Sequence, residues 1–240
     1  VLEGGVRDMG TLLEDLELNG KKGVFKDRED AGKLLASRLA ERVRPNAIVL
    51  AIPAGGVPVA LEIARSLGLP MDLLLVRKIQ IPGNTEAGFG AIGPGGEIVL
   101  NESLLQDLRL SRKEIETQVA RAKQVLAARE ALFRAGRPLP ELRDRQVILV
   151  DDGLASGYSM LAAINFVRQR EAREIVVAVP TASRRTVAFL SARADILICP
   201  NIRGGPVFAV ADAYRDWYDL TDQDVMGLLD SSVLAVDKES

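Results

Sequence analysis

Apolar positions along this chain follow two rhythms. Five short segments are apolar at nearly every position: 47–52 (AIVLAI), 71–76 (MDLLLV), 147–150 (VILV), 175–179 (IVVAV) and 196–199 (ILIC). Runs of that length without alternation predict strands covered on both faces, as in a parallel sheet. Between them apolar residues recur at helical spacing. Asp27 is placed to cap a helix carrying Ala31, Leu34, Leu35 and Leu39 on one side. Residues 57–67 read as a second helix, ended by Gly68. Ser111 and Glu114 form a capping box for a long third helix, with Ile115, Val119, Ala122, Val125, Leu126 and Leu132 following until Gly136-Arg137-Pro138. Helices are also predicted over 159–169 and 185–192, and a final one from the Thr221/Asp224 cap to Leu229. Strands alternating with helices predict an α/β fold: a doubly wound, mainly parallel sheet of about five strands flanked by helices.

Two stretches fall outside both rhythms. Residues 77–96 hold six glycines, Pro82, Pro94 and the basic pair Arg77-Lys78, with little periodicity. They are expected to form a long irregular loop, and such a loop within a compact domain is usually functional. A short strand follows at 97–100. Residues 1–22 are rich in glycine and charge and are expected to be an extension, with a short helix at 11–18. The domain is thus expected to span 23–230, with a tail at 231–240.

Composition narrows the chemistry. The 240 residues carry 31 Lys and Arg against 33 Asp and Glu, a net charge of −2, which argues against a nucleic-acid binder. No apolar run approaches the ~20 residues of a membrane-spanning helix. The single cysteine, Cys199, excludes an intrachain disulfide and fits a reducing, cytoplasmic setting. Histidine is absent, so Ser-His-Asp triads and His-ligated metals are impossible. Acid–base or metal chemistry falls to carboxylates, Lys, Tyr, water or backbone groups.

Ligands of open α/β sheets bind beyond the carboxyl ends of the strands. Three segments leave such ends with unusual composition: 53–56, 77–96 and 151–159. The last is the most informative. Asp151 and Asp152 end an apolar strand, and Ala155, Ser156, Gly157, Tyr158 and Ser159 then open a helix. Small residues let backbone N–H groups converge at a helix N-terminus, which makes a cradle for a phosphate. The acidic pair repels phosphate, but it accepts hydrogen bonds from vicinal hydroxyls or holds Mg²⁺. A pentose 5-phosphate satisfies both halves. The plainer alternative is that Asp152 only caps the helix and the small residues ease packing. An Mg²⁺-dependent ATPase would need a G-x-x-x-x-G-K-[ST] loop, which this chain lacks.

The segment 147–159, VILVDDGLASGYS, resembles the phosphoribosyl-pyrophosphate (PRPP) signature of the type I phosphoribosyltransferases, and similarity to that family extends over about 24–229. The resemblance implies the family's fold, with a flexible lid loop and a C-terminal hood. It implies that Asp151 and Asp152 contact the ribose 2′- and 3′-hydroxyls and Mg²⁺, while Ala155 to Ser159 wrap the 5-phosphate. Ala54, Gly55 and Gly56 fall where the family binds pyrophosphate through backbone amides, often with a cis peptide; its members more often have Arg where this chain has Ala54. By the same resemblance 77–96 is the lid, with Arg77 and Lys78 facing pyrophosphate; Glu86 on this loop is expected to solvate it, the alternative being assistance to proton transfer at the base. Arg215 reaches pyrophosphate, and Phe208, Tyr214 or Trp217 stacks on the base. The activity implied is transfer of the 5-phosphoribosyl group of PRPP to a nucleobase or similar nitrogenous acceptor in nucleotide metabolism, by a cytoplasmic homodimer. Its rivals are a PRPP-binding regulator without catalysis and, more weakly, a phosphatase or other sugar-phosphate enzyme on a similar sheet.

Overall fold

The computed structural model describes residues 10–231 apart from Pro206, so the expected tail beyond 231 lies outside the described residues. Its first strand is β1 (Thr11–Leu13), followed by α1 (Arg28–Leu39), β2 (Ile48–Ala51), α2 (Gly56–Leu67) and β3 (Met71–Leu73). Next come β4 (Arg77–Ile81), β5 (Asn84–Ile92), β6 (Ile98–Leu100), α3 (Glu102–Leu108) and α4 (Arg112–Arg134). The second half runs β7 (Gln146–Val150), α5 (Tyr158–Gln169), β8 (Glu174–Ala178), β9 (Thr181–Ser183), α6 (Arg184–Ser191), β10 (Ile196–Ile198), β11 (Asn201–Arg203), a 3₁₀ turn at Val210–Ala213 and α7 (Asp222–Ser231).

All five predicted strands lie in one parallel six-stranded sheet of order β1-β10-β8-β7-β2-β3. Its central strands β2 and β7 are buried throughout, as their unbroken apolar runs require. Successive side chains alternate between two cores. Leu50 and Leu149 pack with Met160, Ile164 and Phe166 of α5 on one face. Val49 and Ile148 pack with Val57, Ala60 and Ile63 of α2 and Leu35 of α1 on the other. The predicted caps are present: Asp27 accepts from the Asp30 amide, and Ser111 and Glu114 form the reciprocal box. Among the described residues no helix is long and apolar enough to cross a membrane.

Two expectations need correction. The helix expected at 11–18 is replaced by the sixth strand. Residues 11–13 pair in parallel with β10, and Cys199 N–H donates to the Leu13 carbonyl. The open edge of β10 supplies backbone partners that a short helix with one weak apolar face would forgo. Gly10 makes the approach possible, because a Cβ there would lie 2.1 Å from the Ala194 carbonyl oxygen.

The irregular loop expected at 77–96 is instead mostly the β4–β5 hairpin, which β6 extends to a three-stranded antiparallel sheet. Ile79, Phe89 and Ala91 are fully buried in it. Glycines mask the period-two pattern here. A Cβ on Gly88 would lie 2.4 Å from Lys78 Cγ, and one on Gly90 would lie 2.4 Å from the Val99 carbonyl oxygen. They are close-packing positions within strands. The hairpin sheet lies between α4 and α5.

Candidate active site

The chain leaves β7 at Val150, and Asp151 and Asp152 follow at the carboxyl edge of the sheet. Beyond them a cavity of about 740 Å³ opens. Its floor is the stretch from Gly153 to Met160, which carries all five residues of the predicted cradle. Gly157 stands at the N-cap of α5 with φ +79°, and no side chain caps the helix. A Cβ on Gly157 would lie 2.6 Å from Thr186 Cγ2, so both torsion and space select glycine here. The Ala155 carbonyl accepts from the hydroxyls of Thr186 and Ser183, at the start of α6. Among the described residues the amides of 155–160 have no acceptor. A run of unpaired N–H groups at the positive end of a helix, facing a cavity, is an anion site.

The two acids of the doublet occupy different environments. Asp151 lines the cavity and Asp152 does not. Asp151 Oδ1 accepts from the Asp152 amide at 2.8 Å. Burial and the adjacent Asp152 charge hold the Asp151 carboxyl well above the usual carboxylate range. Burial also raises Asp152, opposed by the guanidinium of Arg28, whose Nε donates to Asp152 Oδ2 at 2.9 Å. Arg28 escapes the sequence patterns, since it reads as an ordinary first-turn residue of α1. The available signal is electrostatic: a cation in a first helical turn opposes the helix dipole and needs another reason to be there.

The turn from Ala54 to Gly56 leaves β2, the strand beside β7, and so abuts the doublet. The Pro53–Ala54 peptide is cis. A Cβ on Gly55 would fall 1.9 Å from Asp152 Oδ2, and one on Gly56 would fall 2.6 Å from the Val150 carbonyl oxygen.

Strand geometry separates the basic pair. Lys78 contributes to the cavity wall. Arg77, one residue earlier on β4, is directed toward the α4 side, where burial and then the Arg129 charge lower its pKa and Asp222 opposes them. The Glu86 side chain lies outside the described residues.

Aromatic residues of the predicted hood sit in two places. Tyr214 is buried, packs against Phe25 and Trp217, and donates its hydroxyl to the Asp152 carbonyl oxygen at 2.6 Å. Burial raises its phenol well above the ordinary value. Trp217 lies with its ring centroid 4.0 Å from the Arg28 guanidinium. Phe208 stacks with Arg203 at 4.5 Å. Arg215 is exposed, and its amide bonds to the Phe25 carbonyl. None of these four lines the cavity, whose rings are Tyr158 and Phe189, with centroids 5.3 Å apart. The wall also takes Asn101, Ser103 and Asp107 from the start of α3 and beyond, and Arg185 from α6. Sequence patterns do not single out any of these.

The donor set fits a magnesium ion shared with a ligand. Asp151 offers a carboxylate at the cavity, and Mg²⁺ is commonly held by one or two carboxylates plus phosphate oxygens and water. Among the described residues no cluster of three or more His, Cys, Asp or Glu forms a cage for a metal ion.

Comparison with known proteins bears on the family. Residues 26–211 match the model of the phosphoribosyl transferase domain. Rv0571c of Mycobacterium tuberculosis H37Rv, provisionally named a phosphoribosyl transferase, is 38% identical over 210 residues. That alignment covers 86% of this chain and 46% of the relative, so the chain spans a little under half the length of the curated relatives it matches. The crystal structure of TT1426 from Thermus thermophilus is 42% identical and superposes with a TM-score of 0.69, covering 85% of this chain and 97% of that one. On this match over more than three quarters of its length, the chain belongs to the type I phosphoribosyltransferase family.

Proposed function

We propose that the protein transfers the 5-phosphoribosyl group of PRPP to a ring nitrogen of a nucleobase or similar acceptor, releasing pyrophosphate with the help of Mg²⁺. One observation carries this reading. The unpaired amides of 155–160 and the Asp151 carboxyl share one cavity, with room for a sugar phosphate. The amides take the 5-phosphate, and Asp151 accepts hydrogen bonds from the ribose hydroxyls or holds the metal. Lys78 in the wall and the backbone of Ala54 to Gly56 lie on the side assigned to pyrophosphate. Arg77 and Arg215 would join only by moving from their present positions.

In the reaction the bond from C1 to the pyrophosphate oxygen breaks, and that oxygen leaves with the electron pair. The acceptor nitrogen forms the new bond to C1, and any proton it carries is released. Magnesium, when bound, neutralises charge gathering on pyrophosphate. The chain's own part is to orient the sugar, stabilise the departing group and exclude water that would hydrolyse PRPP.

The test mixes the protein with PRPP, Mg²⁺ and a panel of purine and pyrimidine bases, and measures pyrophosphate. Base-dependent release supports the transferase. Saturable PRPP binding without release across the panel selects the regulator. Absence of PRPP binding refutes the reading.

A further inference from the structure

We infer that Arg185 is a phosphate-binding residue of this site, a charged arm from α6 that joins the backbone cradle on the 5-phosphate. The inference rests on the phosphoribosyl reading of the cavity. It adds a side chain that neither the sequence patterns nor the family resemblance assigns. Two cations line the cavity, Lys78 from β4 and Arg185 from the first turn of α6. Sheet order separates the two ends of the ligand. The turn at 54–56 leaves β2 on one side of β7, whereas α6 follows β8 and β9 on the other side. The cradle comes directly off β7, between them. With pyrophosphate on the β2 side, Arg185 is left at the 5-phosphate.

The start of α6 is fastened to the cradle on both sides of Arg185. Ser183 Oγ donates to the Ala155 carbonyl oxygen at 3.3 Å, and the Thr186 hydroxyl donates to the same oxygen. Ser183 Oγ also accepts the Thr186 amide at 3.1 Å and so caps the helix. Thr186 is buried, and its Cγ2 occupies the space beside Gly157, where a Cβ would lie 2.6 Å away. Arg185, between these anchors, is exposed and lines the cavity. Among the described residues no ion pair holds it to an acid. The first turn of α6 contains no acidic residue, so nothing local offsets a cation that opposes the helix dipole. An anion in the cavity would offset it. The cradle amides recognise a phosphate through the backbone alone; a guanidinium adds full charge and a fork that matches two phosphate oxygens. Arg184 shares the turn and the charge but does not line the cavity.

The experiment measures two ligands by calorimetry in the presence of Mg²⁺: ribose 5-phosphate and inorganic phosphate. The proteins are wild type, Arg185→Gln, Arg185→Lys and Arg184→Gln, each checked for folding by its melting transition. Arg185→Gln should weaken both ligands by about tenfold, the scale of a lost charge-assisted contact at an exposed side chain. Arg185→Lys keeps the charge and loses the fork, so its loss should be intermediate. Arg184→Gln removes the same charge from the same turn and should stay within about twofold of wild type, as a surface substitution does. Unchanged affinities in Arg185→Gln would overturn the inference, and so would an equal loss in Arg184→Gln, which would mean only a diffuse effect of charge. A loss confined to ribose 5-phosphate would place Arg185 at the sugar and overturn it as well. A wild type that binds inorganic phosphate but no ribose 5-phosphate refutes the phosphoribosyl reading, whereas a tenfold loss of inorganic phosphate in Arg185→Gln still supports Arg185 as the phosphate ligand. A wild type that binds neither refutes both.

Discussion

Gly55 and Asp152 are in such close contact that the glycine's missing side chain defines where the carboxylate lies: a Cβ on Gly55 would sit 1.9 Å from Oδ2. Two neighbouring strand ends, β2 and β7, are locked together at this point. Gly55→Ala therefore forces either the turn or the acid to move. Overpacking of this kind costs about 1–3 kcal/mol, read as a lower midpoint in urea denaturation. Pentose phosphate affinity should fall with it. A variant with wild-type midpoint and affinity would show that the turn yields freely.

Stability and function should oppose each other at Asp151. Its carboxyl is raised in the folded protein by burial and by Asp152. Between the unfolded carboxyl's pKa and the folded one, the native state holds a proton that the unfolded chain has lost, so stability falls as pH rises through that interval. Asp151→Asn removes that loss and keeps an oxygen for the Asp152 amide. The variant should melt a few degrees above wild type at pH 7, with the advantage shrinking as pH is lowered toward the ordinary carboxylate range, while PRPP binding is lost. A variant that melts below wild type at pH 7 would refute the argument.

Lys78 and Arg77 are neighbours in sequence on opposite faces of β4. Lys78→Gln should raise the KM for PRPP about tenfold, the scale of a lost charge-assisted contact. Arg77→Gln, directed toward Arg129, should cost less. Steady-state kinetics on the two variants checks this order, and the reverse order would place Arg77 at the pyrophosphate.

Cys199 is fully buried, its Sγ lies 3.6 Å from the Asn201 carbonyl oxygen, and burial pushes its thiol far above the ordinary range. Native protein should not react with a disulfide reagent on the timescale of minutes, and labelling should appear only with unfolding. Rapid stoichiometric labelling under native conditions would contradict this burial.

Several features were legible from residue order alone because their causes are local or periodic. The apolar runs at 47–52 and 147–150 could only be strands covered on both faces, and they are the centre of the sheet. Asp27 and Ser111 cap the helices they precede. The small residues after Asp152 open α5 and line the cavity, because cradle and helix start are a single stretch of chain. Tertiary structure decided the rest. Residues 11–13 became a strand because β10, far along the chain, offered an edge, and 77–96 became a hairpin because α4 and α5 enclose it. The unequal fates of Asp151 and Asp152 depend on Arg28, 124 residues distant, on Tyr214 and on the bare Cα of Gly55. Charges and hydroxyls carry no period that announces a partner across the fold, so a pattern along the chain finds the acidic doublet but not the groups that surround each acid.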